Sequence, residues 1–142
     1  MIIKTDADKK RVESILGLIK NREESITHLD IKKFSTIVSE IYYEIIKELS
    51  SALILLDGFK SIGENSHKDL ISFLEKYKFS ELEISLLHDL RIRRNKSSYE
   101  GKPFEISFLE FNEKRLLQII KRLKYLINIK LRGKNESAEF FR

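Results

Sequence analysis

Cysteine is absent from the chain. Disulfides, thiolate nucleophiles and cysteine metal clusters are therefore excluded, which suits a reducing, cytoplasmic setting. Proline occurs once and glycine five times, so few breakers interrupt the helices. No apolar run approaches the roughly 20 residues that a membrane span needs; Ile54-Leu55-Leu56 and its neighbours are too short. The opening Met1-Ile2-Ile3-Lys4-Thr5-Asp6 lacks a secretory h-region, and no membrane attachment is expected. A glycine-rich phosphate loop, Gly-x-Ser-x-Gly and His-Glu-x-x-His are all missing. Neither a cofactor nor a bound metal is expected. Glu64-Asn65-Ser66-His67 does spell the Glu-x-x-His of di-iron bundles. Such sites need two copies and two further glutamates, and here the motif stands alone beside a loop.

What is present fits a single helical domain. The 142 residues are 42% hydrophobic and 35% charged, a globular balance and not a disordered one. The net charge of +5 favours polyanionic partners such as RNA, DNA or nucleotides.

Five segments carry a helical period. The first runs from Asp6 to Asn21, with Val12, Ile15, Leu16 and Ile19 on one face. The second and longest runs from Asp30 to Asp57, with the stripe Ile31, Phe34, Val38, Ile41, Ile45, Leu49, Leu53 and Leu56. Tyr42, Ile46, Ala52 and Leu55 widen that stripe, so more than one partner should pack on it. Gly58 sits where a left-handed cap belongs, and Phe59 to Asn65 reads as a loop. The third helix is expected from Ser66, capped with Asp69, burying Leu70, Ile71, Leu74 and Tyr77. The fourth starts at Ser80 with a capping box to Glu83 and buries Leu82, Leu86, Leu87 and Leu90. Gly101 and Pro103 stop it. The fifth is expected from Ser107, with a box to Glu110 and the stripe Phe108, Phe111, Leu116, Ile119, Ile120, Leu123, Leu126 and Ile127. Gly133 closes it. No strand pattern competes; Phe104-Glu105-Ile106 is at most a short extended piece. The expected fold is all-α: an antiparallel up-and-down bundle of four to five helices over residues 1–133, followed by a flexible tail, 134–142.

The end of the fourth segment carries the chemistry. Arg94 lies four residues after Leu90 and seven after Leu87, so it points to the core side of its helix. An inward guanidinium needs an anion or acceptors, because its desolvation costs several kcal/mol. Arg91, Asn95 and Tyr99 follow at spacings of four and share an adjoining strip. Two readings stand on these residues. Arg94 pairs with a structural glutamate while Arg91, Arg93 and Lys96 complement the helix dipole; or Arg91, Arg94, Asn95, Lys96 and Tyr99 bind a phosphate or nucleotide.

Leu90-Arg91-Ile92-Arg93-Arg94-Asn95-Lys96-Ser97-Ser98-Tyr99-Glu100-Gly101, late in a bundle of this length, resembles the HEPN superfamily (higher eukaryotes and prokaryotes nucleotide-binding). It is most similar to the small stand-alone prokaryotic and archaeal members, which are helical bundles and usually dimers. Their signature is an Arg, often followed by Asn, Asp or His, with a His a few residues on. The resemblance implies that Arg94 and Asn95 match the motif and that Tyr99 stands in the His slot. It further implies nucleotide or RNA binding, a homodimer, and a small nucleotidyltransferase as partner in a toxin–antitoxin module. In the family's ribonucleases, Arg and His from two subunits cleave RNA without metal. Here a phenol with a pKa near 10 replaces the imidazole at Tyr99 and is a poor base at neutral pH. Binding without His-dependent cleavage is the expectation. A metal-independent ribonuclease using Arg94 and Tyr99, and a non-catalytic adaptor bundle, remain as alternatives.

The three histidines are expected at surfaces or caps: His28 in the turn before the second helix, His67 at the start of the third, and His88 facing outward from the fourth. His67 is also a candidate to supply the imidazole that Tyr99 lacks, since a helix start can meet another helix's end. A homodimer through the broad apolar face of the second helix is expected as well. The fifth segment carries Lys114, Arg115, Lys121, Arg122, Lys124, Lys130 and Arg132, either an electrostatic track for nucleic acid or a solvated outer face.

Overall fold

A computed structural model describes residues 1–133; the tail expected over 134–142 lies outside the described residues. Among them the chain forms β1 (Ile2–Lys4), α1 (Lys9–Thr27), α2 (Ser35–Leu56), β2 (Phe59–Ser61), α3 (Ser66–Phe73), a 3-10 turn (Leu74–Tyr77), α4 (Glu81–Glu100) and α5 (Ile106–Arg132). The all-α bundle is as the sequence predicts, and its buried apolar residues form one cluster. α2 is the axle. It packs on α1, α3, α4, α5 and β2, and it buries Val38, Tyr42, Tyr43, Ile45, Ile46, Leu49, Ala52, Leu53 and Ile54. The apolar breadth of α2 is therefore taken up by the chain's own elements.

Several boundaries differ from expectation, each for a physical reason. Asp8 caps α1 by accepting from the Arg11 N–H at 3.0 Å. The helix then runs past Asn21, because its polar last turns are tied outward: Arg22 to Glu48 of α2 at 2.6 Å and Glu23 to Lys124 of α5 at 2.7 Å. Ahead of α2, the Asp30 carboxylate accepts from the Lys32 N–H at 3.0 Å. That closes a turn instead of a helix, so Ile31 and Phe34 precede α2 while still packing on the core. The Phe59–Asn65 loop contains a strand instead. Ile2, Ile3 and Lys4 pair antiparallel with Ser61, Lys60 and Phe59, and the Met1 amine reaches Asp69. Gly58 enables this return at φ +83°, where a Cβ would sit 3.1 Å from the Thr5 carbonyl.

The expected Ser66–Asp69 cap does not form. Asn65 is the N-cap of α3, with no side-chain bond, and the Asp69 carboxylate is taken by the N-terminus. The Ser80–Glu83 capping box closes both ways, at 2.9 and 3.1 Å, and Gly101 ends α4 in the left-handed conformation. The Ser107–Glu110 box is not made. α5 starts one residue earlier with Glu105 as N-cap. Two residues expected in the core face solvent, Leu82 (68% exposed) and Phe111 (89%). Phe111 lies five residues before Leu116, off the buried face, whereas Leu109 and Phe108 lie seven and eight before it and fill the core. No helix among the described residues is long and apolar enough to cross a membrane.

Candidate functional site

Arg94 sits where its spacing from Leu90 places it. It faces α2, and its side chain is 22% exposed. Its Nη2 donates to Glu44 Oε1 at 3.4 Å, and the guanidinium lies 5.4 Å from the centroid of the Tyr43 ring. Glu44 is shared, since Lys47, three residues on along α2, reaches Oε2 at 2.9 Å. Behind these groups the Tyr43 phenol meets His67 Nδ1 at 3.1 Å. Thus α2 supplies Tyr43, Glu44 and Lys47, the start of α3 supplies His67, and α4 supplies Arg91 and Arg94.

The electrostatics follow from crowding. Burial pushes the Tyr43 phenol up to about 12, against the pull of the Arg94 and Arg91 charges. Burial also lowers the pKa of His67. Lys47, Arg94 and Arg91 add to that, and Glu44 opposes it. The imidazole is thus held neutral at pH 7. The phenol keeps its proton and, among the described residues, has His67 as its sole hydrogen-bond partner. Which of the two donates follows the imidazole tautomer.

Arg91 completes the group. Its Nε is buried without a hydrogen-bond partner among the described residues, and its charge is felt at both Tyr43 and His67. Three cations, Lys47, Arg91 and Arg94, therefore surround one neutral imidazole and one carboxylate. The space beneath them is apolar, lined by Ile46, Leu70, Ile71, Leu87 and Leu90. A bound group would lie on this cluster from the outside.

The remaining sequence candidates divide. Asn95 is half-buried on the Arg91 strip. Tyr99, in the last turn of α4, is 81% exposed; it stands at the rim of the cluster. Lys96 faces away and lines a separate groove with Asp89, Ile92, Arg93, Lys102 and Pro103. A second α4–α2 tie runs from the Ser97 hydroxyl to Glu40 at 3.0 Å. His67 is in the cluster, as the sequence allowed. His88 does not face outward: its Nε2 meets the Ser72 hydroxyl at 3.2 Å and its Nδ1 is buried. His28 is exposed at the end of α1.

Tyr43, Glu44 and Lys47 escape the sequence reading of the site. Their signal is a phenol, an acid and an amine inside the most apolar helix, and each needs a partner once taken out of water. Among the described residues, no three His, Asp or Glu side chains converge to hold a metal. Compared with family models, with curated proteins and with solved structures, the chain matches none.

Proposed function

We propose that the α2–α3–α4 cluster binds a phosphate-bearing ligand, a nucleotide or the phosphate of RNA, as a HEPN-like binding module. One observation carries the reading. Three cations and the His67 imidazole converge where, among the described residues, Glu44 is the one carboxylate bonded to them, so the cluster has positive charge left over for an anion. Arg91 and Arg94 would take the phosphate with the His67 imidazole beside them. Tyr99 stands on the same strip of α4 as Arg91 and Asn95, with its ring open for a base to stack on. A small nucleotidyltransferase as partner rests on the resemblance of the Arg91–Tyr99 stretch alone.

His67 beside Arg94 also favours a second reading, metal-independent RNA cleavage with His67 supplying the imidazole. The hydrogen bonding ranks it second. His67 Nδ1 is engaged by the Tyr43 phenol, and burial lowers the basicity of the ring, which makes it a weakened general base.

Purified protein with labelled nucleotides and with total RNA in EDTA tests both readings. Arg94→Ala should weaken binding roughly tenfold or more, the range for a lost charge-assisted hydrogen bond. EDTA-resistant cleavage abolished by Arg94→Ala and by His67→Ala would establish the ribonuclease. Wild-type protein that neither binds nor cleaves would leave an adaptor bundle.

A further inference from the structure

The outer face of α5 is a second surface, carried by residues that take no part in the cluster. Of the helix's cations, several are structural. Arg122 donates to the Tyr77 and Lys78 carbonyls at 3.0 Å each and covers the Phe79 ring at 4.3 Å. Lys124 holds Glu23, and Lys130 holds Asp57. Lys114, Arg115 and Lys121 are different: all three are exposed, and none has a carboxylate partner among the described residues. Glu110 is the acid on this face and sits at its N-terminal end.

Among these free cations stand apolar side chains that the core does not use. Phe111 is almost wholly in water, and Leu117 is half-exposed. Helical geometry fixes their order round the axis. At about 100° per residue, Lys114 lies roughly 60° from Phe111, Lys121 roughly 80° and Leu117 roughly 120°, all in the same sense. The lysines therefore form a crest about 10 Å long, with an apolar shoulder on each side. Gln118 sits on the Phe111 shoulder and Arg115 just beyond it.

We propose that this face binds single-stranded nucleic acid, the backbone following the Lys114–Lys121 crest and a base stacking on Phe111. The order of the residues selects that partner. A bilayer needs a contiguous apolar face with cations at its margins, and here the cations occupy the centre. A duplex offers phosphates but keeps its bases stacked inside, leaving Phe111 nothing to cover. A single strand offers phosphates and open π-faces together.

The test is fluorescence anisotropy with a labelled 15-nucleotide uridine oligomer at low salt, using the full chain. Binding should fall at least tenfold in Lys114→Glu/Lys121→Glu and about fivefold in Phe111→Ser, whose charge is unchanged, while Lys9→Glu/Lys10→Glu, the same charge reversal at the exposed start of α1, keeps most of it. Lys114→Ser/Lys121→Ser, a milder pair, serves if the charge reversal fails to fold. Absence of oligomer binding would overturn the proposal. So would indifference to Phe111→Ser, equal affinity for a duplex of the same length, or an equal loss in Lys9→Glu/Lys10→Glu. Binding to phosphatidylserine vesicles that needs Phe111, without oligomer binding, would overturn it in favour of a membrane surface.

Discussion

Glu44 serves two cations at once, and that sets the behaviour of the cluster. Lys47 reaches both of its oxygens, Oε2 at 2.9 Å and Oε1 at 3.2 Å, while Arg94 reaches Oε1 at 3.4 Å, near the limit of a hydrogen bond. An arriving phosphate competes with this carboxylate for Arg94. Glu44→Gln should therefore raise affinity for a mononucleotide roughly fivefold, equivalent to about 1 kcal/mol for a partly exposed ion pair. Calorimetric titration of both proteins measures it, and equal or weaker binding by the variant would discard Glu44 as competitor. His67 gives a second prediction. Its folded pKa lies below the value near 6.5 of an unfolded histidine, so below that pH the unfolded chain binds more protons. The contribution is whole above about 6.5 and is lost as pH falls toward the lowered folded value. Urea midpoints should drop between pH 7.5 and 5.5, and less steeply in His67→Gln. His88, lowered by burial and by Arg91 and Lys68, keeps part of the slope. An unchanged slope in His67→Gln would show that the imidazole is not held neutral.

Among the elements, α4 is the one whose ends its own residues define. The reciprocal Ser80–Glu83 bonds satisfy two backbone donors at its start. Ser80→Ala should lower stability by about 1 kcal/mol, read as a reduced urea midpoint with an unchanged m-value. Helices with local signals were legible in this way: α4 from its box and its glycine, α2 from its long stripe, and α5 from the spacing of Leu116, Ile119, Ile120, Leu123 and Ile127. The failures share a cause. β1 and β2 are three residues each, too short for an alternating pattern, and they meet only because α2 brings residue 59 back to residue 4. The last turns of α1 read as loop because Arg22 and Glu23 are held by helices distant in sequence. Phe111 is apolar but out of phase with Leu116, so apolar character alone assigns it wrongly to the core. Arg94 is in phase with Leu87 and Leu90, and it faces inward.

For the whole molecule, the position of α2 decides what surfaces remain. An apolar helix of this breadth suggested a second copy of the chain, but α1, α3, α4, α5 and β2 cover it. The large apolar side chains left exposed, such as Leu18, Ile37, Leu82, Ile92 and Phe111, are scattered over four helices. Light scattering at tens of micromolar should give a monomer near 16.8 kDa. A dimer mass would instead point to the outer face of α4, where Ile92 and Tyr99 lie seven residues apart. The sequence by itself determined the helices, the inward aim of Arg94 and the strip of Arg91, Asn95 and Tyr99, because side-chain direction along a helix follows from residue spacing. Only the tertiary structure decided what stands opposite. Glu44 and Tyr43 from α2 and His67 from α3 meet Arg94 across 27 to 51 residues of chain, and no local pattern encodes which helix faces meet.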